Sequence, residues 1–361
     1  MTKKYILKIA CIYTGTILGA GFATGKELLS FFAIFGKMGI LGFFIACFLL
    51  SLCLVSILGI IHNTKVRTYE QFMSHIFGKL GKYIEIFNIM LLFILFSAML
   101  SGGGATISNI FYINEVTGII IFCIGVFLAL IYGERAIINI NTILCPVLII
   151  GGMLIGIYLY FFDTVNVFNS NTKALTSPFI YTSYNAITTI SVLFSVKSII
   201  TNKKVVIFGG ILGGLFIFCI GIFMLLPLVE NYNIIKNESL PILSLIKNKK
   251  IIKIVYTFTV ISAIFTTAIS NGFALEDTFK NKININKVYL KVIIIILGII
   301  FSFLGFSNIV NVVYPIFGYL GMFEILVIVI TFLSNSYWQM IYMLYNYSSA
   351  LYTLGEIYEK F

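Results

Sequence analysis

The 361-residue sequence predicts an all-α polytopic membrane protein of about ten transmembrane helices, arranged as a 5+5 inverted repeat. Three observations carry that expectation. First, 60% of residues are hydrophobic and 10% charged, with a mean hydropathy of +1.06, whereas a water-soluble domain carries roughly 25% charge. Second, continuous apolar runs such as Gly39 to Ile61, Ile119 to Tyr132 and Val292 to Leu304 approach the roughly 20 residues that take a helix across hydrocarbon. Strands of an outer-membrane barrel would be shorter and would alternate. Third, the halves echo each other at an offset of about 168 residues. Ile12-Tyr13-Thr14 returns as Ile180-Tyr181-Thr182, Phe96 to Gly103 as Phe265 to Gly272, and Pro146 as Pro315. An odd number of spans per repeat makes the second half enter from the opposite side, an arrangement common among secondary transporters.

Polar breaks place the spans near 5-34, 38-61, 83-110, 116-132, 136-162, 176-200, 204-229, 251-279, 288-305 and 308-333. Residues 1-162 then form the first repeat, 163-175 an outer connection, 176-333 the second repeat and 334-361 a cytoplasmic tail. The first run follows Lys3, Lys4 and Lys8 like the start of a signal peptide. It is too long for one and lacks a small-residue cleavage site, so it reads as a retained span. Within the 230-250 loop, Ser239 to Ile246 suits a short helix over an outer vestibule. The tail from Tyr337 to Phe361, rich in Tyr and holding Trp338, reads as an interfacial helix.

Of the 24 Lys and Arg, only Lys37, Lys173, Lys236 and the group from Lys247 to Lys253 fall in connections opposite the amino terminus, with Lys26 inside a span. The positive-inside rule therefore puts both termini in the cytoplasm. The net charge of +11 follows from that bias and from anionic headgroups, so the partners expected are a lipid bilayer and a small solute, not nucleic acid. Cys11, Cys47, Cys53, Cys123, Cys145 and Cys219 lie in apolar runs with no CxxC pair and read as buried thiols. His62 and His75 share a basic connection and read as solvated.

The first span carries the densest chemical signal. From Tyr13 to Glu27 it places Gly15, Gly19, Gly21 and Gly25 at membrane depth, followed by Lys26 and Glu27. Glycine costs roughly 1 kcal/mol against alanine in a helix interior, so the run invites an unwound turn. Such a break offers carbonyls from one half-helix to cations and amides from the other to a carboxylate. Close helix packing at Gly15-xxx-Gly19 and Gly21-xxx-Gly25 is the other reading. The charged pair favours a break beside an aqueous path and is expected at an outer gate.

Gly19-Ala-Gly-Phe-Ala-Thr-Gly-Lys-Glu-Leu28, followed by Phe31-Phe32, resembles the first-span signature of the YkvI family of bacterial membrane proteins. Ser183-Tyr184-Asn185 in the sixth span is the second matching segment, and the resemblance in length and span count covers the whole chain. That family belongs to the amino acid-polyamine-organocation (APC) superfamily. The resemblance implies a bacterial cytoplasmic membrane and the LeuT-like fold shared with the leucine transporter, with spans 1 and 6 broken around a central site. It further implies a sodium site made by the backbone of Gly15 and Leu18 and by Ala263, Thr266 and Thr267, which lie on one face of the eighth span. Those threonines bonding back to their own helix or to a neighbour is the alternative.

Substrate contacts are expected from Gly19, Ala20 and Gly21 at the first break, Ser101, Gly102 and Gly103 in the third span, Tyr184, Asn185 and Thr188 in the sixth, and Ser270 and Asn271 in the eighth. Close helix approach competes for Gly102-Gly103-Gly104. No arginine lies in this region, so the break amides are the candidates for holding a carboxylate. The fifth span, from Ala136 to Phe162, lacks the lysine that fills the sodium position in proton-coupled relatives, which favours sodium. Glu324 in the last span needs a partner, water or a proton, and stands as a proton site, a cytoplasmic-gate residue or a structural hydrogen-bond donor kept neutral. The expectation is a sodium-coupled symporter of an amino acid or similar solute, with no cofactor beyond the ion. A proton-coupled transporter and a ligand-sensing subunit like those of germinant receptors are the alternatives. HExxH, CxxC, GxSxG and P-loop motifs are absent from the sequence, which argues against an enzyme.

Overall fold

Backbone in hydrocarbon must satisfy its own amides and carbonyls, and apolar runs of this length do so as helices. The computed structural model describes residues 2–64, 66–162, 176–238, 240–246, 250–280, 282–283, 285–302 and 312–334. The first span divides into α1 (Thr2–Ile17), α2 (Ala20–Ala23) and α3 (Lys26–Phe31). Then come α4 (Lys37–Asn63), α5 (Tyr69–Phe77), α6 (Gly81–Phe111), α7 (Glu115–Ile131) and α8 (Gly133–Phe162). The second half holds α9 (Ser177–Ser195), α10 (Lys203–Glu230), α11 (Tyr232–Ile235), α12 (Pro241–Ile246), α13 (Lys250–Phe279) and α14 (Lys287–Ser302), ending in α15 (Tyr314–Ser334).

Among the described residues six helical stretches are long and apolar enough to cross a membrane, namely α4, α5 with α6, α8, α10, α13 and α15. The other four expected spans fall on the divided α1–α3 and on α7, α9 and α14. Local chemistry sets several starts: Asn114 caps α7 through the Val116 amide at 2.9 Å, and Asn202 caps α10 through the Val205 amide at 3.0 Å. The connections 163–175 and the tail 335–361 lie outside the described residues.

Helix α1 sits at the centre, packed on α8, α10, α13 and α9, while α4 packs on α10 and α9. Helices α6, α7, α13 and α14 form the adjoining group. In the 230–250 connection α12 is seated on the first span, where the Ile242 amide donates to the Thr24 carbonyl at 3.2 Å. Gly25 makes this possible: its φ of 82° lets the chain turn between α2 and α3, and a Cβ there would collide with Ile242.

The sixth span departs from expectation. Helix α9 runs unbroken from Ser177 to Ser195. This stretch contains no glycine, and its only proline, Pro178, lies in the first turn, where proline is tolerated. Its polar side chains turn back on the helix: Ser183 donates to the Phe179 carbonyl, Asn185 to Tyr181, and Thr189 to Asn185.

Candidate functional site

The break in the first span lies at Leu18 and Gly19, between α1 and α2, with a second turn at Thr24 and Gly25. Its glycines do different work. Gly15 is a close-packing position, because a Cβ there would strike the Asn141 carboxamide oxygen on α8 and press on Thr266 of α13. Gly19 faces Met99 and Thr267, and Gly21 lies under the Glu27 carboxylate. Both readings of the glycine run thus hold, at different residues.

Two helices meet the break through polar atoms. The Thr267 hydroxyl donates to the Gly15 carbonyl at 2.7 Å, joining α13 to the last turn of α1. Thr266 instead bonds back to Ser262 and Ala263 of its own helix, at 2.9 and 3.0 Å. From α6 the Met99 sulfur accepts the Ala20 amide at 3.4 Å, meeting one of the amides that the break exposes. Gly102 faces the break as well, since a Cβ there would meet that of Ala20 at 3.3 Å.

Other expected contacts point elsewhere. Gly103 and Gly104 face Phe122 and Ile119 of α7, so they serve helix approach. Ser270 engages α8, accepting from the Asn141 amide at 3.2 Å. Asn185 and Thr188 spend their hydrogens on carbonyls of α9 itself. Asn271 is buried with its carboxamide oxygen unpaired, and Ser101 is buried beside Gly102.

The charged pair after the glycines does not face water. Lys26 and Glu27 are 8% and 2% exposed. Lys26 reaches the 230–250 connection, donating to the Glu238 carbonyl at 2.9 Å. Glu27 folds back over Gly21 and accepts from the Tyr184 hydroxyl at 2.8 Å, tying α3 to α9. Aromatic rings wall this contact: the Tyr184 ring lies 4.7 Å from that of Tyr314 on α15 and 5.7 Å from that of Phe31. Turn geometry at Gly25 separates the two side chains, sending one into the bundle and the other toward α12.

Glu324 on α15 is buried as well, and accepts from the Asn88 amide at 2.8 Å. The same nitrogen donates to the Tyr69 hydroxyl at 2.8 Å, so α5, α6 and α15 share one network. Sequence reading missed Asn88, Asn141, Met99 and Tyr314. Asn88 and Asn141 each stand as a polar residue in an apolar span, a signal that was available. For Met99 and Tyr314 composition offers no such mark.

No family model matches the chain. It is 25% identical over 336 residues to the uncharacterized membrane protein YkvI of Bacillus subtilis (strain 168), covering 89% of this chain and 94% of that protein. The uncharacterized protein YyaD of the same organism is 24% identical over 324 residues, covering 88% and 94%. Among solved structures the chain resembles MHP1, a nucleobase-cation-symport-1 family transporter with bromovinylhydantoin bound, at a TM-score of 0.61 and 13% identity over 86% of this chain and 74% of that one. A Na+-coupled sialic acid symporter gives 0.58 at 14% identity, covering 87% and 75%, and MhsT in complex with L-phenylalanine gives 0.59 at 15%, covering 88% and 87%. These likenesses establish a LeuT-like transporter fold for this membrane protein.

Proposed function

We propose that the chain is a secondary active transporter that moves a small organic solute together with a monovalent cation, sodium, by alternating access around the first-span break. The observation that carries this reading is the Thr267 hydroxyl on the Gly15 carbonyl at 2.7 Å. It puts a hydroxyl of α13 at the carbonyl end of a broken helix, where hard, neutral oxygens suit a monovalent ion. The unpaired Asn141 carboxamide oxygen, fully buried against Gly15, adds an acceptor that a cation would satisfy. Gly15, Leu18, Ala263, Thr266 and Thr267 remain the proposed ion site. Thr266 joins it by turning its hydroxyl away from Ser262 and Ala263.

In the same reading the chain crosses the membrane ten times as an inverted repeat, with both termini cytoplasmic. Helices α1–α3, α4, α9 and α10, which pack on one another, rock as a unit against α6, α8 and α13. The sodium-coupled sialic acid symporter and MhsT support this reading by their fold. Proton coupling is the second reading, favoured by Glu324 buried in the Asn88–Tyr69 network.

The test is uptake by proteoliposomes of purified protein, screened against a solute panel under an imposed sodium gradient and again under a potassium gradient. Uptake that requires sodium supports the assignment. Uptake driven by a pH gradient and indifferent to sodium moves the coupling to Glu324. Ligand-induced stabilisation without uptake of any solute returns the fold to a sensor.

A further inference from the structure

Four glutamates are buried in the described helices: Glu27, Glu85, Glu276 and Glu324. Glu85 and Glu276 have lysine partners, Lys282 at 2.7 Å and Lys291 at 3.2 Å. Glu27 has no cationic partner among the described residues. One of its oxygens takes the Tyr184 hydroxyl hydrogen, and no other hydrogen bond from the described residues reaches the carboxylate. Lys26, one residue away, is engaged with the Glu238 carbonyl instead.

A carboxylate at 2% exposure with a single neutral donor is costly to keep. That cost is relieved by a proton on the carboxyl or by a positive group sharing the space. The surroundings indicate what kind of positive group fits. A metal ion asks for several hard oxygens at once, whereas Glu27 is enclosed by the Tyr184–Tyr314 pair and by Phe31, with Tyr181 5.5 Å from Tyr184. An organic ammonium group satisfies both features: its N–H groups donate to the carboxylate, and its charge is attracted by the ring faces. The position is also telling. Glu27 lies on Gly21, at the start of α2, the place where a solute carboxylate was expected to sit. An anionic group arriving there would meet the oxygens of Glu27 rather than free amides.

We propose that Glu27, with Tyr184, Tyr314 and Phe31, is a recognition site for the amino group of the solute, so that the substrate class is organic amines. This deepens the transport reading and rests on it for the word substrate. In this structure Tyr184 donates to the carboxylate. An incoming amine replaces that hydrogen bond and frees the phenol.

The experiment is thermal stabilisation of the detergent-purified full chain in sodium by matched probes: butylamine, phenethylamine and 1,4-diaminobutane against butyrate and phenylpropionate. At least one amine is expected to bind about tenfold or more tightly than the carboxylate of the same skeleton. Glu27→Gln, which keeps an acceptor for Tyr184, should weaken that amine about tenfold or more. Tyr184→Phe removes the competing donor and should tighten it roughly threefold, while a merely structural Glu27–Tyr184 latch would lose binding in both variants. Preference for carboxylates, equal amine affinity in Glu27→Gln, or no stabilisation by any amine would overturn the proposal. If Glu27→Gln does not fold, weakened amine binding in Tyr184→Phe overturns it. Amine binding without uptake would leave the site standing and end the transport reading, and sodium-driven uptake of an acidic solute would do the reverse.

Discussion

Glu27 and Glu324 are both buried carboxylates without a lysine partner among the described residues, yet they sit in different surroundings. Glu27 lies among aromatic rings with one phenol donor, beside the helix break. Glu324 lies about 15 Å further along α15, at ten residues from Tyr314, and belongs to a network that joins α15, α6 and the short helix α5. Tyr69 and Phe72 of α5 also pack against the Phe194 ring in tilted and edge-on contacts, ten residues beyond Tyr184 on α9. Two continuous helices, α9 and α15, therefore connect the two places. The difference teaches a division of labour: an under-bonded acid suits a visiting ligand, and an acid shared by three helices suits a contact that opens and closes.

The largest effect should come from Gly21→Val, which breaks the Glu27 side of the comparison directly. A Cβ at Gly21 falls on the Glu27 carboxylate, and forced overpacking of this kind reaches roughly 3 kcal/mol, or a hundredfold in affinity. Solute-induced stabilisation should vanish while the unliganded protein still purifies as a folded monodisperse species. Retained solute affinity would show that Glu27 and Gly21 stand apart from the binding place.

Asn88→Leu attacks the other side. It leaves the Glu324 carboxyl and the Tyr69 hydroxyl without their shared donor, at a cost of about 1–3 kcal/mol in the stability of the unliganded protein. Equilibrium solute affinity should stay near the parent value while the uptake rate changes, because the network lies away from the break. If Asn88→Leu lost binding as severely as Gly21→Val, the proposed division would fail.

How far this site could be read from sequence depended on the range of the contact. The glycine run pointed to the break, since backbone preference is local, and two residues that the family resemblance groups together, Gly15 and Thr267, are joined here by a hydrogen bond. The folding back of Glu27 depends on the positive φ of Gly25 and on α12 arriving from more than 200 residues away to hold that turn, as the Ile242–Thr24 bond does. The continuity of α9 was hidden for a different reason. The break expected there came from the family resemblance alone, and the residues present do not make one, because the Ser, Thr and Asn side chains bond to their own helix carbonyls. Gly102 and Gly103 are adjacent in sequence but differ by about 100° around α6, so one faces the break and the other faces α7.

Thr267→Ala tests the tie between α13 and the first-span break. Losing the hydroxyl that meets the Gly15 carbonyl should weaken sodium-dependent stabilisation about tenfold, the equivalent of one hydrogen bond to a charged or strongly polar group. Binding measured in potassium should not move. An equal loss in both salts would make this contact a helix-packing bond and remove its role in coupling.

The smallest effect is expected from Lys26→Met, and it sharpens the comparison by separating the lid from the site. Lys26 stands next to Glu27 in sequence but reaches outward to the Glu238 carbonyl, while the Ile242 amide holds Thr24 from the same connection. Methionine keeps most of the apolar stem and removes the charge and donor, so the packing of α3 survives. Of the two hydrogen bonds that join the first span to the 230–250 connection among the described residues, one is then gone. Solute affinity should fall little, whereas solute dissociation should speed up about threefold, as expected when one modest polar tie across a closing surface is removed. Rapid-dilution release of a radiolabelled solute measures that rate directly. An unchanged rate would mean that α12 holds the first span through Ile242 and Gly25 alone, leaving Glu27 as the only one of the adjacent charged residues with a part in handling the solute.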